Sequence, residues 1–172
     1  MIQRRVEELQ REFDEGFARP AGARHADSAA YLLVRASGVA LALPARALRG
    51  LEKGRAVVPL PGARGALLGV AGVRGQLVPA YGLGPLVSGA PAGGAAWLAL
   101  ASGRELVGLA FDELVGLFDV PLATVRPAGD AAPPAAAGVL AFQETTYWVL
   151  EISKLLDRLA ENSPPAPEAS RA

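Results

Sequence analysis

The chain has 172 residues, 51% of them hydrophobic, with 17 basic and 17 acidic side chains and no cysteine. That length suits one domain with appendages, or two small subdomains sharing a core, and the apolar content excludes global disorder. Balanced charge gives no overall pull toward nucleic acid or anionic lipid, and the missing cysteines exclude disulfides, thiolate zinc sites and thiol nucleophiles and suit a reducing compartment.

Met1 to Phe17 predicts an amphipathic helix, so residues 1–18 form the first unit. Ile2, Val6, Leu9, Phe13 and Phe17 recur three or four residues apart and make one apolar stripe. Arg4, Arg5, Glu7, Glu8, Arg11, Glu12, Asp14 and Glu15 occupy the other faces, and Gly16 and Pro20 stop the helix. This charged start lacks the apolar run of a signal peptide, and no later stretch has the length of a membrane span. The expected setting is therefore the cytoplasm. Residues 19–28 read as a linker of small residues.

From Tyr31 the texture changes to short apolar runs punctuated by Gly and Pro, the pattern of many short strands. Strands are expected over Tyr31–Arg35, Val39–Leu43, Leu67–Val73, Gln76–Ala80, Ala95–Ala101, Glu105–Phe111, Gly116–Val120, Gly138–Phe142 and Thr146–Leu150. Ser37-Gly38 and Ser102-Gly103 are expected to form tight hairpin turns. The segment 87–94, VSGAPAGG, divides the strands into two groups in this scheme, and 128–137 is a loop within the second group. A short helix is expected over Glu151 to Leu159, followed by a loose tail, 161–172. Two groups of short strands suit two small closed barrels, because closure removes exposed strand edges.

The zero net charge conceals a polarity. Residues 28–80 carry seven basic groups against Glu52 alone, and residues 81–172 carry five basic groups against ten acids. Opposed charge on two lobes can orient encounters with partners.

Groups able to do chemistry are sparse. The single histidine, His25, lies in the linker without a rigid mount. Asp112-Glu113 is an adjacent acidic pair, but neighbours on a strand point to opposite faces, so a solvated turn is expected and no metal site. The glycine-rich runs at 62–65 and 69–75 lack the Gly-Lys-Ser or Gly-Lys-Thr of a phosphate loop, and no Gly-x-Ser-x-Gly elbow occurs. Trp97 and Trp148 sit in apolar strands and read as core anchors. The basic segment 32–74 has no aromatic residue, which argues against nucleic-acid binding. No cofactor, no metal and no enzymatic activity are expected.

The segment 59–79 is the most specific. A strand ends at Arg74-Gly75, where glycine allows a tight turn, and a second strand starts at Gln76 and runs to Pro79. The order of motifs resembles the CheW family. Leu43-Pro44 precedes a short segment, ARALRGL. Leu60-Pro61-Gly62 follows, and then Gly69-Val-Ala-Gly-Val-Arg-Gly-Gln-Leu-Val-Pro79 matches the family signature. Val107 to Pro121, Val125-Arg-Pro127 and Tyr147 to Leu156 look like the family's later strands and closing helix. The resemblance covers about residues 29–160.

The resemblance implies a mainly β fold of two linked SH3-like five-stranded barrels, flanked here by the N-terminal amphipathic helix and a short C-terminal helix. It implies an adaptor that bridges a chemoreceptor tip to a CheA-type histidine kinase within a signalling array, without catalysis or membrane insertion. Arg74 falls on the family's signature arginine and Leu48 on an apolar groove position, with Val73 and Gly75 at the flanking positions. The expected partner-binding groove comprises Leu48, Leu51, Val57, Val73, Arg74 and Gly75. Three positions that are polar in typical members are glycine here: Gly50, Gly72 and Gly82. The N-terminal stripe leaves a second reading open, in which it forms a helical oligomer or docks on another partner as a localisation or assembly scaffold. It could equally cover an exposed groove or sheet edge of its own barrel.

Overall fold

A computed structural model describes residues 27–162. The expected helix over residues 1–18, His25 in the linker, and the tail beyond 162 lie outside the described residues.

The described residues form twelve strands in two six-stranded sheets. The first sheet has the order β10-β11-β12-β2-β1-β9. Its strands are β1 (Ser28–Ala36), β2 (Val39–Pro44), β9 (Glu113–Pro121), β10 (Val125–Pro127), β11 (Ala136–Phe142) and β12 (Thr145–Leu150). The second sheet has the order β3-β7-β8-β6-β5-β4. It holds β3 (Leu48–Lys53), β4 (Val57–Val58), β5 (Leu67–Val73), β6 (Gln76–Gly82), β7 (Trp97–Ser102) and β8 (Leu106–Phe111). A short helix α1 (Leu83–Ser88) follows β6, and α2 (Ile152–Asn162) closes the described chain. No helix among the described residues is long and apolar enough to cross a membrane.

All nine expected strands are present, with boundaries shifted by a few residues. β3, β4 and β10 are additional, so each sheet has six strands rather than five. Within the short segment ARALRGL only Ala45–Ala47 is helical, as one 3-10 turn, and β3 begins at Leu48. The hairpin at Ser37-Gly38 has φ of 48° and 82°, the sign pattern of a type I′ turn. Arg74-Gly75, at 50° and 79°, repeats it. The β7–β8 connection is longer than expected, because Ser102 pairs with Leu106 across three intervening residues.

The segment 87–94 does not divide the strands into two sheets. β7 and β8 lie after it yet join β3 to β6, while β1 and β2 join β9 to β12. The chain crosses from the first sheet to the second at Ala45–Ala47 and returns at Asp112. Two parallel pairings cause this exchange: Trp148 sits opposite Leu41, and Ala80 opposite Gly108.

The central strands, such as β1 and β7, are buried on both faces, which explains near-continuous apolar runs such as Tyr31 to Val34. Leu32 and Val34 face a large shared core, with Leu41, Leu43, Leu48, Trp97, Leu109 and Phe111. Tyr31 and Leu33 face a second cluster, with Ala42, Leu140 and Val149. The second sheet has its own cluster of Ala71, Val73, Val78, Ala80, Leu98 and Leu100. Ile152, Leu155 and Leu159 bring α2 into the shared core, so the two sheets and the closing helix share one continuous apolar centre.

Candidate functional site

β5 and β6 form an antiparallel hairpin in which Val73 pairs with Gln76, so Arg74-Gly75 is its tip. Arg74 has φ of 50°, a left-handed conformation that a non-glycine residue adopts at some cost. Its side chain is 66% exposed, and its Nε lies 3.7 Å from Oε1 of Glu52 on β3. Glu52 is better held by Arg55, whose Nε donates to Oε2 at 2.9 Å and whose Nη2 lies 2.8 Å from the same atom. The 3.7 Å contact with Arg74 is therefore loose and solvent-facing, of a kind worth about 0–1 kcal/mol. It leaves the guanidinium donors open to a partner.

A Cβ at Gly50 would stand 3.3 Å from Nη2 of Arg74, an exposed group that can move aside. A Cβ at Gly82 would stand 3.1 Å from Cδ of Pro85, a ring held within α1. Gly72 has no such constraint: its missing Cβ would meet nothing within 4 Å.

Three of the six residues of the expected groove are buried. Leu48 and Leu51 belong to the shared core and Val73 to the second-sheet cluster, all three buried. A register shift in β3 between Leu48 and Gly50 lets Leu48 and Leu51 both join the shared core, and the alternation along β5 puts Val73 with Ala71 on its inner face. Val57 is half-buried, while Arg74 and Gly75 are exposed. Of the six residues, those at or near the surface are Val57, Arg74 and Gly75.

The exposed apolar residues of this hairpin and its neighbour β4, with Leu77 nearest the tip, were not singled out as a surface in the sequence. Leu77 is 78% exposed, Val58 60% and Leu60 40%. The signal was available: with Val78 and Ala80 directed inward, the period of two puts Leu77 and Pro79 outside. The charge polarity follows the sheets. Residues 45–111, which contain the second sheet, carry seven basic and two acidic groups. The rest of the described chain carries four basic and nine acidic groups.

Asp112 has a different place from the expected solvated turn. It is half-buried where the chain returns to the first sheet, and its Oδ2 accepts the backbone N–H of Ser37 at 2.6 Å. Glu113 is exposed and lies 3.8 Å from Arg35. Among the described residues no group of three His, Asp or Glu side chains could hold a metal ion. Trp97 is a core residue as expected, and Trp148 is packed partly against the same core.

A family model described as the CheW-like domain matches residues 30–160. Among solved structures, the chain is similar to the scaffolding protein TtCheW from Thermoanaerobacter tengcongensis. The identity is 12% and the TM-score 0.65, over 74% of this chain and 91% of that one, a likeness of fold. No curated protein matches the chain.

Proposed function

The chain belongs to the CheW-like domain family, and from that premise we propose that it is a non-enzymatic adaptor coupling a chemoreceptor to a CheA-type histidine kinase. It works in the cytoplasm, at receptor arrays, and needs no cofactor. The observation that carries the reading is Arg74, an exposed cation at the tip of a two-residue turn, flanked by the exposed Leu77. An arginine fixed beside apolar surface is a common anchor of protein interfaces. The opposed charges of the two halves favour head-to-tail contacts between successive modules of an assembly.

In this reading each sheet curls into an SH3-like barrel. The contact between Arg74, at the β5–β6 tip, and Glu52, on the edge strand β3, supports closure of the second sheet. The separate cluster of Val73, Val78 and Leu98 then fills that barrel, and the shared core joins the two barrels.

The test is binding of the full chain to a purified receptor signalling tip and to the regulatory domain of a CheA-type kinase, with Arg74→Ala in parallel. Binding of either partner, weakened in the variant, supports the adaptor reading. Binding of neither rejects it.

A further inference from the structure

The outer face of β4, β5 and β6 is apolar and uncovered. Val58 pairs with Val70, Val70 with Pro79, and Gly72 with Leu77, so these residues lie side by side. Val58 and Leu77 are well exposed, and Val70 and Pro79 are half-exposed. Gly72 leaves bare backbone beside Leu77. Patches of this kind on a soluble domain mark a surface that something covers. β4 is moreover an edge strand of two residues, and edges are commonly covered.

Charge identifies the occupant as acidic. Between Lys53 and Arg104 the chain has five basic residues and no Asp or Glu. Arg55 and Arg74 stand toward one end of the face and Arg64 in the loop at the other. Of the two carboxylates that bound this stretch, Glu52 and Glu105, Glu52 on β3 is already engaged by Arg55 and Arg74.

The sequence preceding β1 has the matching properties. Its stripe of Ile2, Val6, Leu9, Phe13 and Phe17 is apolar, and the remaining surface carries Glu7, Glu8, Glu12, Asp14 and Glu15 against three arginines. Residues 18–27 can span about 33 Å when extended, roughly the width of a domain of this size. The family match begins at residue 30, so this segment is an addition to the domain rather than part of it. An alternative landing point is Leu122, whose N–H donates to the carbonyl of Asp27 at 2.8 Å. Leu122 is a single exposed side chain on the acidic half of the molecule, where an acidic helix is repelled.

We propose that residues 1–17 form a helix that docks, within the same chain, on the outer face of β4, β5 and β6 through Val58, Val70, Leu77 and Pro79. The docked helix would cover Leu77 beside Arg74 and so compete there with a partner of the adaptor reading, but its docking is read without any partner and stands or falls separately.

Because the chain has no cysteine, a spin label can be placed at Arg11→Cys, on the face opposite the stripe, and read by NMR in the full chain. The expected result is loss of the amide signals of Val58, Val70 and Leu77, with Leu122 less affected. Mixing isotope-labelled unmodified chain with spin-labelled, isotope-silent chain should leave those signals intact. Adding Leu77→Asp should restore them in the labelled chain while the remaining spectrum keeps its dispersion. Unbroadened signals on this face, broadening centred on Leu122, or broadening in the mixed sample as strong as within one chain would each overturn the proposal, the last assigning the face to a second copy.

Discussion

Ser37 and Asp112, 75 residues apart, are joined by a 2.6 Å hydrogen bond from the backbone N–H of Ser37 to Oδ2 of Asp112. The same serine donates through Oγ to the carbonyl of Pro91 at 2.9 Å and accepts the N–H of Gly93 at 3.1 Å. The β1–β2 turn of the first sheet is thereby pinned to the segment leading into β7 of the second. Asp112 also donates its own N–H to the carbonyl of Arg35 at 3.0 Å. One serine and one aspartate thus tie together three chain segments where the sheets meet.

Asp112→Ala should destabilise the fold by about 1–3 kcal/mol, because it leaves the Ser37 N–H without its charged acceptor. Urea denaturation of the variant against the parent chain measures this. A change below about 0.5 kcal/mol would show that water replaces the carboxylate at this junction.

Gly84→Ala should disturb the same junction from α1. A Cβ there would stand 2.2 Å from Oγ and 2.5 Å from Cβ of Ser37, so backbone must shift. Overpacking of this kind costs about 1–3 kcal/mol. Ser37→Gly removes the opposing atoms, so the double variant should lose less stability than the two single losses added together. Additive losses in a double-mutant cycle would place the strain elsewhere.

Arg74→Ala should leave the fold intact, because the contact with Glu52 is loose and exposed. Partner affinity should fall by about 1–3 kcal/mol if the side chain anchors the interface. Calorimetry with the receptor tip and the kinase domain separates the two partners. An unchanged melting temperature with unchanged affinity for both removes Arg74 from the interface.

Phe111→Ala should cost about 3–5 kcal/mol. Phe111 is fully buried, pairs with Trp97 across β7 and β8, and stacks on it with centroids 6.4 Å apart and planes at 5°. Thermal unfolding followed by Trp fluorescence should show a single transition at much lower temperature, since both residues lie in the core shared by the two sheets. Two separated transitions would mean that the sheets fold independently.

The local features were legible in the sequence because they depend on neighbours in the chain. Apolar runs bounded by Gly and Pro marked nine strands, and Ser37-Gly38 and Arg74-Gly75 marked turns that proved to have positive φ at both residues. The order of motifs from Leu43-Pro44 to the closing helix marked the family, which the domain match over residues 30–160 establishes. Tertiary structure alone decided which strands share a sheet. Strand pairing is set by burial over long separations, and a longer loop adds little to its cost. A conspicuous linker such as 87–94 therefore says nothing about where one sheet ends. The same distance dependence hid the inward orientation of Leu48, Leu51 and Val73, which is set by the partners of β3 and β5 and by the register shift between Leu48 and Gly50. It also hid the role of Asp112, whose partner Ser37 is brought to it only when β1, β2 and β9 have paired.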